Sequence, residues 1–211
     1  MRRLNIQVAI DRVDVDEMLR IGECVYGIAD IVEIGTSLIK DYGLAASVGV
    51  MRKHFPDMKI LADLKTCDEG AYEFEKAFEA GADIATVMGF SSDATISACA
   101  SAAKKYGKQV FIDLLEVLDA RLAVLTEKFP EAVFGIHLPA DMHGEGLTDL
   151  VADTCGHLDK VKMIAAAGGI KLENMAFLKE TAIDIAIIGS AVTKEADIIA
   201  AARAFVSAAQ R

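Results

Sequence analysis

Eight short apolar runs, separated by stretches with helical spacing, constrain this chain more than any other feature. They are Leu4 to Ile10, Ala29 to Ile34, Met58 to Leu64, Ala82 to Met88, Gln109 to Leu114, Ala132 to Ile136, Val161 to Ala166 and Ile183 to Ile188. Between them lie segments rich in helix formers, such as Ala71 to Ala80 and Thr95 to Tyr106. Near-continuous apolar strands alternating with helices predict a parallel sheet covered on both faces. Eight such units favour a closed (β/α)8 (TIM) barrel over an open doubly wound sheet. At 211 residues the chain is near the short end for that fold, so small connecting loops are expected. No linker or low-complexity tract interrupts it, and Pro56, Pro130 and Pro139 do not divide it. A single α/β domain over residues 1–211 is expected.

Charge and cysteine usage narrow the setting. The chain has 32 acids against 22 bases, a formal net charge of -10. That opposes the neutralisation of phosphates by which proteins bind nucleic acid non-specifically, so no nucleic-acid partner is expected. Hydrophobic residues at 53% and charged residues at 26% are the balance of a globular protein. Cys24, Cys67, Cys99 and Cys155 lie far apart with no C-x-x-C spacing, and read as reduced thiols of a cytoplasmic protein. The apolar run after Met1-Arg2-Arg3 ends at Asp11, too short for a secretory leader. No segment approaches the roughly 18 apolar residues of a membrane helix, so no membrane partner is expected.

In barrels of this kind catalytic groups gather at the C-terminal ends of the strands. Here those ends carry Asp11, Glu33, Asp63 with Lys65, Asp113 and His137, with Asp68 where the chain turns after the third strand. Each acid alone could be a helix N-cap or a solvated loop residue. Together they place five carboxylates, a lysine and a histidine on one rim. Asp63 and Lys65, two apart on a strand, should leave it on one face. Such charges are costly in a core and suit a polar pocket.

Glu33 and Asp63 end adjacent strands and offer hard oxygen donors of the kind Mg2+ takes one or two at a time; the plainer alternative is that Glu33 pairs with Lys65 or Lys40. Lys65 is a candidate Schiff-base nucleophile, but close carboxylates favour its ammonium, which makes it a better stabiliser of an oxyanion. His137, after the apolar Val133-Phe134-Gly135-Ile136, is placed for acid–base work near neutral pH. His54, His143 and His157 fall in expected helices or loops. Gly168-Gly169 and Gly189-Ser190 end the last two strands, where exposed backbone amides hold phosphate in many such barrels. That would let an acidic protein bind an anionic substrate.

At these residues the sequence resembles the orotidine 5'-monophosphate decarboxylase superfamily, in its hexulose-6-phosphate synthase and 3-keto-L-gulonate-6-phosphate decarboxylase group. The carriers are Gln7-Val8-Ala9-Ile10-Asp11, Val32-Glu33-Ile34-Gly35-Thr36 with Leu38-Ile39-Lys40, and Ala62-Asp63-Leu64-Lys65-Thr66-Cys67-Asp68. Ala80-Gly81-Ala82-Asp83, Thr86-Val87, Asp93-Ala94-Thr95-Ile96 and Ala167-Gly168-Gly169-Ile170 extend it over the whole chain. The resemblance implies a homodimer of barrels with active sites at the interface and Asp68 reaching into the partner's site. It implies Mg2+ on Glu33 and Asp63, and an enediolate stabilised by the metal and Lys65. It further implies substrate hydroxyls on Asp11 and Asp113, proton transfer by His137, and phosphate on the amides of Gly169, Gly189 and Ser190.

Within the group, the decarboxylases carry arginines where this chain has Ala140 and Ser190, and the strand-two phrase and Leu64-Lys65-Thr66 look more like the synthases. The synthases usually continue His-Thr-Gly-x-Asp-x-Gln, where this chain reads His137-Leu138-Pro139-Ala140-Asp141-Met142-His143. The expected activity is an aldol condensation of D-ribulose 5-phosphate with formaldehyde through a Mg2+-stabilised enediolate. Decarboxylation of 3-keto-L-gulonate 6-phosphate is the alternative, followed by a sugar-phosphate isomerase or epimerase using the same enediolate. A non-catalytic sugar-phosphate binding protein is a further possibility.

Overall fold

The structure, a computed structural model, describes residues 3–142 and 145–210. Its strands are β1 (Asn5–Ile10), β2 (Ile31–Ile34), β3 (Ile60–Thr66), β4 (Ile84–Met88), β5 (Gln109–Asp113), β6 (Val133–His137), β7 (Met163–Ala167) and β8 (Ile185–Ile188). All neighbours pair in parallel and β8 returns to β1, closing the barrel. Each run singled out in the sequence overlaps one of these strands, and β3, β6 and β7 extend one or two residues past theirs. The outer layer is α1 (Val15–Val25), α2 (Thr36–Ala46), α3 (Val48–His54), α4 (Gly70–Ala80), α5 (Asp93–Tyr106), α6 (Asp119–Lys128), α7 (Leu147–Cys155), α8 (Met175–Glu180), α9 (Ser190–Thr193) and α10 (Ile198–Ala208).

Strand alternation divides the apolar residues into two cores. Outward-facing side chains such as Ile10, Ile34, Ala62, Ile112, Phe134 and Ile188 pack with buried helix residues, among them Met18, Phe74, Ile96 and Phe205. Inward-facing Ile31, Leu61, Ile84, Phe111, Val133, Ala165 and Ile185 form a separate plug inside the barrel. Gly135 is small for a reason. A Cβ there would lie 2.2 Å from Cε1 of Phe111, whose ring takes that space. Two residues beyond the plug, the inward positions become Glu33, Asp63, Thr86 and Asp113. The chemistry therefore sits on a hydrophobic floor.

The opposite end is pinned by a repeated device. Asp30, Asp83 and Asp184 each directly precede an even-numbered strand and accept the backbone N–H of Ile6, Ile60 and Ile164 on the preceding strand, at 2.8, 3.0 and 3.0 Å. The sixth strand lacks it, because Ala132 stands in that position. Asp83 also pairs with Arg52 and with Lys108, the latter at 2.6 Å. Arg52 in turn donates to the carbonyls of Gly81, Pro56 and Met58.

Burial works against the Asp83 charge, but Lys108, the Ile60 N–H and Arg52 outweigh it and hold its carboxyl below the usual range. Its stabilisation is thus complete above the unfolded carboxyl's pKa of about 3.9 and is lost as the pH falls through the lower folded value. Asp83→Ala is expected to cost about 2–3 kcal/mol at pH 7, by stranding Arg52 and the Ile60 N–H. Urea denaturation at pH 7 and pH 3 checks this, with the gap between variant and wild type shrinking in acid.

Candidate active site

The site grows from an irregularity in β3. Its pairing with β4 slips between Ala62, opposite Ala85, and Thr66, opposite Val87, so extra β3 residues bulge out. Lys65 lies in the bulge with φ of +51°, a left-handed conformation uncommon for lysine. Its backbone N–H donates to Thr86 Oγ1 at 2.8 Å, which holds the bulge against β4. Simple alternation predicted that Asp63 and Lys65 share a face. They do meet, but a bulge brings them together rather than a regular strand.

Lys65 Nζ lies 2.8 Å from Asp63 Oδ2, 3.1 Å from Asp63 Oδ1 and 3.4 Å from Asp113 Oδ2. Asp113 Oδ2 is also 2.7 Å from His137 Nδ1. Asp63, Lys65, Asp113 and His137 thus form one line across the barrel mouth, from β3 to β6. Thr36 and Thr86 complete the Asp63 shell, donating to Oδ2 at 2.7 Å and Oδ1 at 2.9 Å. Asp113 Oδ1 accepts the Leu115 N–H at 2.8 Å.

Burial would strip the proton from Lys65, but the charges of Asp63 and Asp113 prevail and raise its pKa. Lys65 is an ammonium ion, which disfavours a Schiff base and suits donation to an oxyanion. Burial likewise opposes the Asp113 charge, and the His137 hydrogen bond and charge, with Lys65, keep its carboxyl below the usual range. An ionised Asp113 accepts from His137 Nδ1–H. That leaves Nε2 as the nitrogen that exchanges a proton.

Glu33 projects from β2 beside this line. Its carboxyl is pushed up to about 8, first by burial and then by the negative charge of Asp63. Gln7 Nε2 donates to Glu33 Oε2 at 2.6 Å. No group of three or more His, Cys, Asp or Glu is poised for a metal among the described residues. A Glu33–Asp63 pair is a smaller donor set.

The remaining expected residues are dispersed. Asp11 is exposed at the rim and accepts the backbone N–H groups of Arg12 and Ser37, each at 3.1 Å, and the Ser37 hydroxyl. Asp68 is exposed beyond β3, its Oδ1 accepting the Glu69 N–H at 2.8 Å, and joins none of the Lys65 contacts. Gly168 and Gly169 have φ of +109° and +74°. A Cβ on Gly168 would come 2.4 Å from the Leu138 carbonyl oxygen, so the turn after β7 can press against the turn after β6 only with glycine there. Gly189 caps the short α9 that Ser190 opens, and N–H groups in a first helical turn have no partner within the helix. His143 lies outside the described residues.

Sequence reading did not single out Gln7, Thr36 and Thr86 as site residues. For Gln7 and Thr86 a signal existed, since each is a polar residue on an inward-facing strand position. Thr36 carried none, because it lies beyond the end of β2 and reaches Asp63 only through the pairing of β2 with β3.

This barrel, with its charged mouth over an apolar plug, has known counterparts. Residues 4–205 match the profile of the Orotidine 5'-phosphate decarboxylase / HUMPS family, and the chain belongs to that family. The 3-hexulose-6-phosphate synthase of Methylomonas aminofaciens is 39% identical over 199 residues, 93% of this chain and 94% of the relative. That of Bacillus subtilis (strain 168) is 36% identical over 196 residues, 92% and 93% of the two chains. The crystal structure of 3-hexulose-6-phosphate synthase from Salmonella typhimurium matches with a TM-score of 0.90 at 31% identity, covering 97% of this chain and 98% of that one.

The raised Glu33 carboxyl gives a pH prediction for metal-free protein. The folded state holds a proton there that the unfolded chain loses above about pH 4.3, so stability falls as the pH rises from that value to the folded pKa of about 8. Glu33→Gln removes this penalty. In EDTA it is expected to exceed wild type by about 2 kcal/mol at pH 8, after a discount for the open mouth, and to match it at pH 4. Guanidinium denaturation at the two pH values is the measurement.

Proposed function

We propose that the chain is a lyase of the aldehyde-lyase type, condensing D-ribulose 5-phosphate with formaldehyde to give a hexulose 6-phosphate. The observation that carries this reading is the Lys65 ammonium, held between Asp63 and Asp113 with His137 on the far side of Asp113. Full-length kinship with 3-hexulose-6-phosphate synthases supports the choice of reaction.

His137 Nε2 carries the proton that leaves C1 of the pentulose phosphate, and Asp113 orients the ring through Nδ1. Lys65 donates to the oxygen that gains negative charge as the enediolate forms. The enediolate carbon then bonds the formaldehyde carbon, and the former aldehyde oxygen takes up a proton. Asp11 holds a substrate hydroxyl. The amides of Gly169, Gly189 and Ser190, with Gly168 shaping the turn, receive the phosphate.

The reading includes Mg2+ on Glu33 and Asp63. Two hard carboxylates side by side, one driven to about 8 by burial and its neighbour's charge, are a donor set that a divalent cation relieves. Mg2+ needs one or two protein carboxylates and fills its other positions with waters and substrate oxygens. When bound it supplies Lewis-acid stabilisation of negative oxygen on the sugar.

The active form in this reading is a cytoplasmic homodimer, with Asp68 completing the partner's site. Its support is the outward, exposed placement of Asp68 and the exposed rings of Tyr72, on the helix that follows it, and Phe90, after β4. No helix among the described residues is long and apolar enough to cross a membrane.

Purified protein is expected to consume formaldehyde only when ribulose 5-phosphate and Mg2+ are both present. Absence of consumption at every metal concentration overturns the reading. CO2 release from 3-keto-L-gulonate 6-phosphate without formaldehyde turnover would mark a decarboxylase instead, and solvent proton exchange alone an isomerase or epimerase. Lys65→Ala is expected to lose turnover while still binding the sugar phosphate. Mixing Lys65→Ala with Asp68→Ala protein should restore part of the activity, because one site of each mixed dimer is then intact.

A further inference from the structure

Gln7 is a polar residue buried inside the barrel. It faces inward from β1, between Ile31 of β2 and Ile187 of β8 in register, and has no exposed surface. Its neighbours at that level are the apolar plug residues, which offer no hydrogen bond. Its Nε2 is engaged with Glu33 Oε2 at 2.6 Å. Its Oε1 is the one fully buried side-chain polar atom without a hydrogen-bond partner among the described residues. Leaving such an acceptor empty is unfavourable, and an apolar side chain would fill the slot without that cost. A glutamine here needs a reason beyond packing.

Both ends of the amide supply one. The N–H end fixes one oxygen of Glu33, and with it the direction of the carboxylate. The carbonyl end is a buried acceptor with no protein partner beside the Glu33 carboxyl, and water can satisfy it. We propose that Gln7 is a positioning residue of the cation site: it sets the Glu33 carboxylate, and its Oε1 takes a hydrogen bond from water that hydrates the cation. The inference rests on the reading of Glu33 and Asp63 as Mg2+ ligands. Partners that hold a metal ligand in place typically change metal affinity 10–100-fold when removed.

The test uses Mn2+ as the probe, with free Mn2+ followed by electron paramagnetic resonance in the absence of substrate. Gln7→Leu, and Gln7→Met in case the branched side chain does not fit, are expected to bind Mn2+ at least about tenfold more weakly than wild type. Turnover of the variants should recover at high Mg2+, which structural damage would not allow. Variants that bind Mn2+ within twofold of wild type overturn the proposal while leaving the cation site standing. Wild-type protein that binds no Mn2+ overturns the cation site itself, and this role for Gln7 with it. If neither variant folds, a crystal structure of the wild-type protein with Mn2+ decides the matter. A water bridging Gln7 Oε1 and the ion is expected, and a Gln7 turned away from Glu33 overturns the proposal.

Discussion

The ammonium of Lys65 stands between two carboxylates that the barrel holds on different strands, and the rest of the site is arranged around that charge. Asp63 and Asp113 would repel each other across the mouth without it, and their charges hold its proton against the effect of burial. Each partner therefore needs the other two. The hydrogen bonds from Thr36 and Thr86 fix Asp63, and the Leu115 N–H and His137 fix Asp113. A lysine so held has little freedom to wander and no reason to lose its proton. It can meet a developing oxyanion without reorganising, which is where preorganised sites gain most over water.

The closed barrel makes this possible by stacking two different interiors. The plug from Ile31 round to Ile185 lies beneath the site, while on β2 to β5 the next inward positions are Glu33, Asp63, Thr86 and Asp113. On those four strands one step of two residues converts a packed core into a polar mouth. Asp63, Lys65, Asp113 and His137 all stand on strands, so the ring itself sets their spacing. The repeated aspartates before β2, β4 and β8 secure the other end of the same strands.

Much of this was legible in the sequence, because a parallel barrel writes its strands as apolar runs and its site as the first charges after them. Asp113 and His137 are the last residues of β5 and β6, as those runs predicted. The similar turns Glu79 to Asp83 and Lys179 to Asp184 are two copies of one strand-pinning device, which only the hydrogen bonds reveal. Gln7 and Thr86 hid inside apolar runs, where a hydrophobicity reading passes over a single polar residue. The Lys65 bulge was out of reach, because a left-handed lysine leaves no composition signal. Asp68 is exposed and shares no hydrogen bond with its own Lys65 cluster, and the role expected of it concerns a second chain.

The proposed reaction requires an acidic protein to place a phosphate anion without drawing on its net charge. Ala140 and Ser190 offer it no cationic side chain. That leaves the backbone to receive it. Gly168 and Gly169 hold the turn after β7 in a left-handed course against Leu138, and Gly189 and Ser190 start the short α9 directly after β8. Backbone donors carry no counter-charge to neutralise and do not move with pH. In the proposed reading they receive the phosphate end of the substrate, while the reacting carbons lie over the Asp63–Lys65–Asp113–His137 line. The turn from Leu138 to Met142, which follows His137, then flanks the approach of the electrophile.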